Sequence, residues 1–172
     1  MDKIVTDHKV LAQVSRATTL EEIEGIFPGM LEGLVSHDGI GFVMVHSEEH
    51  GPVVIGASGR NYLAEERIEG EDPLKPFGPR ASQHLIREDT FPNCPDILIN
   101  SFYNAETNEV AAFEELIGCH GGMGGYQTQP FLLYPAELPV EEGELVGAAA
   151  VHHLMKSWVS ETNGKGRGKD EG

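Results

Sequence analysis

His120 sits inside the run GCHGGMGG, residues 118–125, with glycine at 118 and at 121. Glycines on both sides let a histidine project from a tight turn towards a cleft, because glycine adopts backbone conformations closed to other residues. A neutral imidazole there is a ready ligand for a divalent metal. One histidine does not complete a catalytic centre, since catalytic zinc normally takes three protein ligands. Taken alone, the run also fits a structural histidine in a flexible loop. The same glycines, Gly121 to Gly125, could cradle a phosphate through backbone N–H groups. However, no Gly-Lys-Ser/Thr closes the run, and Gln127 stands where G-x-G-x-x-G needs its third glycine.

Other constellations are weaker. His46-Ser-Glu-Glu-His50 matches H-x-x-E-H in letters. That zinc chemistry needs both histidines on one helix face, whereas this segment follows a strand-like run and enters Gly51-Pro52, so a hairpin tip is expected. Asp7-His8 reads as an exposed polar pair near the N-terminus. His152-His153 falls in the last expected helix, where adjacent residues face different directions, so one is expected buried and the other exposed. Glu114-Glu115 could serve acid–base work but reads as a solvated loop or helix start. Cys94 and Cys119 are too few for a disulfide framework and lack C-x-x-C spacing, so two reduced thiols are expected.

The elements that position these residues can be read from periodicity. Thr18 or Thr19 can cap a helix whose first turn carries Glu21, Glu22 and Glu24. FPGM interrupts it before an amphipathic turn from Leu31 to Val35. Ile40–His46 and Pro52–Ala57 read as paired strands around the SEEHG turn. Residues 61–78 read as loop, and Arg80 to Arg87 as helix. Asp96 to Phe102 reads as a core strand, 104–108 as a turn, and Phe131–Tyr134 as another strand. Gly143 to Val159 reads as the last helix. NGKGRGKDEG, 163–172, is low-complexity and expected to be disordered. The mix implies an α/β fold: a small sheet with flanking helices and a β-hairpin, a sheet that could form the edge of a larger one. The expected division is a lead-in over 1–17, a domain over 18–160 and a tail over 161–172.

The chain has 172 residues, enough for a real core. Asp plus Glu number 28 against 12 Lys plus Arg, a formal charge of −16. Phosphate repulsion therefore argues against a nucleic-acid partner. No apolar run is long enough to span a bilayer, and MDKIVTDHKV lacks a signal-peptide pattern. The expectation is a cytoplasmic protein, or one held by a membrane-anchored partner.

GCHGGMGG followed by PFLLYPAE resembles the C-terminal signature of the alkaline phosphatase superfamily, in its bacterial type I phosphodiesterase/nucleotide pyrophosphatase-like branch. The stretches TLEEIEGIFPGMLEGLVSHDGIGFVMVHSEEHGPVVIGASG and DPLKPFGPRASQHLIREDTFPNCPDILINSFYNAETNEVAAFEELIG share that likeness, which covers roughly 18–159. The resemblance implies the C-terminal part of an alkaline-phosphatase-like fold. It implies that His120 occupies the place of the family's last metal-binding histidine. It implies a Ser or Thr nucleophile and two divalent metals, usually zinc, that clamp a phosphoryl group. The family's nucleophile and other ligands lie in an N-terminal half that has no counterpart here. Thr6-Asp7-His8-Lys9 lacks the glycine of the family's Ser-Asp-His-Gly motif, so no metal role passes to it. The expectation is a hydrolase portion, incomplete by itself, partnered by a chain carrying the other half or by self-association. A non-catalytic binding or scaffolding module is the alternative, and an independent small metalloenzyme a third.

Overall fold

The apolar run from Ile40 to Val45 predicts a strand buried on both faces, because no polar residue interrupts its alternation. The computed structural model describes residues 18–112, 120–140 and 143–166, and places β1 at Ile40–Ser47. Its side chains alternate between two cores. Val43 and Val45 enter one, and Phe42 and Met44 enter the other. β2, Gly51–Gly56, returns antiparallel, with Val43 opposite Ile55 and Val45 opposite Val53. The hairpin expected at SEEHG is present.

The sheet continues through β3, Gly59–Tyr62, to β4, Arg67–Gly70. On the other side β1 pairs with β5, Leu98–Ser101. The order is β4-β3-β2-β1-β5, antiparallel throughout. A separate short ribbon pairs β6, Tyr103–Asn104, with β7, Glu109–Val110. The α/β reading holds, with four α-helices among the described residues.

Helices cover both faces. α1, Leu20–Ile26, starts with a capping box: the Glu22 N–H donates to Thr19 Oγ1 and the Thr19 N–H donates to the Glu22 carboxylate. α1 and α2, Met30–Val35, bury Ile23, Leu31 and Val35 against the Val43 face. α3, Ala81–Asp89, and a 3₁₀ turn at Lys75–Phe77 bury Leu85, Ala81 and Phe77 against the Phe42 face. Phe42 is wholly inaccessible, and its ring meets Phe77 edge-on at 5.0 Å.

Residues 61–78, expected as loop, instead complete β3 and supply β4 and the 3₁₀ turn. β4 is an edge strand with only Arg67 half-buried, so it carries no apolar alternation to reveal it. Pairing and side-chain contacts hold it. The Arg67 guanidinium lies 3.6 Å from the centre of the Tyr62 ring, and the Tyr62 hydroxyl donates to Glu69. Phe131–Tyr134, expected as a strand, is not a strand and pairs with none among the described residues, and Phe131 is 92% exposed.

The chain divides into Met1–Pro130 and Phe131–Gly172. In the second unit, α4 runs over Gly147–Gly166 and so extends into the segment expected to be disordered. Residues 167–172 lie outside the described ones. Trp158 is buried there; its indole N–H donates to the Pro139 carbonyl at 2.7 Å, and its ring lies 5.3 Å from that of Tyr134. No described helix is long and apolar enough to cross a membrane.

Candidate functional site

The glycine-rich turn is tied to the sheet by one buried side chain. Asn100 is only 4% exposed on β5. Its Oδ1 accepts from the Met123 N–H at 2.8 Å, and its Nδ2 donates to the Met123 carbonyl at 3.2 Å. The amide of Gly122 donates to Gln127 Oε1 at 3.3 Å, and the Thr128 hydroxyl donates to the Gly125 carbonyl at 2.9 Å. These bonds close the turn before and within a 3₁₀ segment, Gly125–Thr128. Gln127 Nε2 is a buried donor with no hydrogen-bond partner among the described residues.

The glycines serve close approach. Gly124 has φ of +113°, and a Cβ there would stand 2.8 Å from Tyr103 Cγ. The turn therefore lies flat on the Tyr103 ring, which only glycine permits. Tyr103 is itself held by its hydroxyl, which donates to Asn108 Oδ1 at 3.1 Å.

His120 is exposed and heads this fixed turn. It lines a cleft of about 630 Å³ whose floor includes Phe42, Leu85 and Met123. The same cleft receives His84 and Glu88, which are four residues apart and so share one face of α3. Neither stood out in the sequence. The i, i+4 spacing on a helix was the available signal, and only the packing of α3 beside β5 brings it to His120. Among the described residues no three His, Cys, Asp or Glu side chains lie close enough together to hold a metal ion. His120, His84 and Glu88 therefore share a cleft without composing a metal centre. The donors among the described residues do not make a complete zinc site.

The other sequence candidates separate. His46 is the penultimate residue of β1 and His50 the last residue of the hairpin turn before β2, so the helical geometry of H-x-x-E-H is absent. Each binds a different carboxylate: His46 Nδ1 lies 3.0 Å from Asp89 and His50 Nδ1 lies 2.5 Å from Glu65. Hydrogen bonds from Arg67 and then His50 hold the Glu65 carboxyl below its ordinary value. His152 and His153 are both exposed on α4, so the expected burial of one does not occur. Cys94 is a free thiol, and burial followed by the charges of Asp89, Glu88 and Asp96 pushes it up. Asp7, His8, Glu114, Glu115 and Cys119 lie outside the described residues.

Comparison with protein-family models, with curated proteins and with solved structures yields no significant match.

Proposed function

We propose that this chain is the C-terminal portion of a metal-dependent phosphodiester hydrolase and contributes His120 as one ligand of its metal centre. The resemblance of GCHGGMGG and of the stretches around it to the alkaline phosphatase superfamily motivates the reading. The observation that carries it is the anchoring of the His120 turn: Asn100 fixes the backbone of Met123, and the exposed imidazole stands at a cleft. A ligand must be held in place before the metal arrives, and a turn tied to a strand meets that need. In this reading the remaining ligands and the nucleophile come from another polypeptide, as the resemblance to the superfamily implies. When bound, the metal would polarise a phosphoryl oxygen.

The test is co-expression with the polypeptide encoded directly upstream, followed by zinc-dependent hydrolysis of bis(p-nitrophenyl) phosphate. The chain alone is expected to be inactive and the combination active. His120→Ala is expected to lower zinc affinity or rate by more than about 10–100-fold, the cost of losing only an outer-shell partner of a metal ligand. A folded, zinc-saturated combination without hydrolysis overturns the reading, as does full activity in His120→Ala.

A non-catalytic binding module is the second reading. It predicts association with the upstream polypeptide that needs neither zinc nor His120.

A further inference from the structure

The chain enters the described fold at the rim of a second cleft, of about 510 Å³. Thr18 is fixed there by two bonds to one carboxylate. Its N–H donates to Asp96 Oδ1 at 2.7 Å, and its hydroxyl donates to Asp96 Oδ2 at 3.2 Å. The next residue, Thr19, lines the cleft, and so does Pro95, the neighbour of Asp96. Phe91, Pro92 and Cys94 line it as well, and Phe91 is 40% exposed. Residues 1–17 therefore join the fold beside an apolar wall.

The composition of that segment suits the place. MDKIVTDHKVLAQVSRA carries apolar Ile4, Val5, Val10, Leu11 and Val14. It holds three of the chain's 12 basic residues and only two of its 28 acidic ones, so it is cationic while the rest is strongly anionic. The field of an acidic domain holds a cationic segment near it. An extended chain covers at most about 3.6 Å per residue, which keeps Val14 within about 15 Å of Thr18 and Leu11 within about 25 Å. A segment tethered so closely has an effective concentration of about millimolar, enough for a contact that would not hold a free peptide. Arg87 stands 5.2 Å from the centre of the Phe91 ring, so charge alone does not seat the segment on this wall. The apolar contact must do so.

We propose that this cleft is the seat of the chain's own N-terminal segment, residues 1–17, with Leu11 and Val14 against Phe91 and Pro92. Lys9 and Arg16 face the acidic surface around the cleft, and the seated segment covers the Cys94 thiol. The cleft shares no lining residue with that of His120, and the inference does not depend on the hydrolase reading.

The experiment is alkylation of Cys94 by iodoacetamide, timed by peptide mass spectrometry on the full chain. Leu11→Asp combined with Val14→Asp is compared with the native protein, and circular dichroism confirms that both are folded. Cys94 is expected to react about 10-fold faster in the variant, the scale of losing one buried aliphatic side chain. A synthetic peptide of residues 1–17, at about millimolar concentration, is expected to slow the variant again, and the same residues in scrambled order are not. Lys9→Glu combined with Arg16→Glu is expected to give a smaller acceleration, since charge only assists. Equal rates in the folded native chain and the apolar variant overturn the proposal, as does equal protection by the scrambled peptide. Protection that vanishes on dilution of the native chain also overturns it, because the occupant is then a second copy. If the apolar variant does not fold, the charge-reversed one decides, and a rate equal to the native one refutes the proposal.

Discussion

Asn100 grips Met123 by both of that residue's backbone polar groups, accepting from its N–H and donating to its carbonyl across 23 positions of sequence. The carboxamide is also used once more, on the Ser101 carbonyl at 3.0 Å. A single buried side chain thus joins the edge strand β5 to the turn that carries His120.

Replacing Asn100 by leucine keeps its approximate volume and removes all three bonds. Backbone groups of Met123 and Ser101 would lose their partners, at about 1–3 kcal/mol for each group left unsatisfied. A loss of about 2–4 kcal/mol in urea unfolding is expected. Amide exchange at Met123 and Gly122 should quicken more than exchange in β2. Unchanged exchange at Met123 would show that the turn does not depend on Asn100.

Gly124→Ala tests the contact with Tyr103. The added Cβ would meet the ring at 2.8 Å from Cγ and 2.9 Å from Cβ, in a backbone conformation with φ of +113°. Ring displacement and strain together should cost about 1–3 kcal/mol. Gly121→Ala also faces positive φ, of +86°, but meets nothing within 4 Å. It should cost less than Gly124→Ala, and equal costs in thermal unfolding would contradict the packing argument.

Acid should weaken the link between α1 and the β1–β2 hairpin. Burial pushes the Glu21 carboxyl up, but hydrogen bonds from Ser47 Oγ at 2.5 Å and the Glu48 N–H at 3.1 Å outweigh it, so the group titrates below its ordinary 4.5. A carboxyl depressed in the folded state stabilises above its unfolded value and loses that contribution as pH falls through the folded one. Glu21→Gln should therefore cost about 1 kcal/mol at neutral pH, discounted for the exposure of this side chain. The difference from the native chain should shrink as pH falls below 4.5. Stability curves of the two proteins against pH check this; a constant difference down to strong acid would refute it.

Trp158 is the chain's one tryptophan, so its fluorescence reports the second unit alone. Its emission should be blue-shifted in the native state, because the side chain is 8% exposed. Trp158→Phe retains ring burial and removes the donor to Pro139. It should destabilise that unit by about 1 kcal/mol, with the remaining cost set by the smaller ring. Native emission at the wavelength of free indole would contradict the packing on Pro139 and Tyr134.

Local chemistry was enough for the elements whose signals are local. A threonine at 18 or 19 ahead of Glu21 and Glu22 marks the start of α1, and β-branched apolar runs on either side of SEEHG mark β1 and β2 as a hairpin. The edge strand β4 was not, because an edge is stabilised by its neighbour and tolerates polar residues on both faces. Phe131–Tyr134 misled in the opposite sense: strand-forming residues without a partner strand leave backbone groups unpaired and form no ladder. Tertiary structure alone decided which groups meet. His46 joins Asp89 across 43 positions, Asn100 joins Met123 across 23, and α3 brings His84 and Glu88 into the cleft of His120. Periodicity records which face a side chain leaves its own element by. It does not record which other element lies opposite, because that is set by the packing of layers distant in sequence.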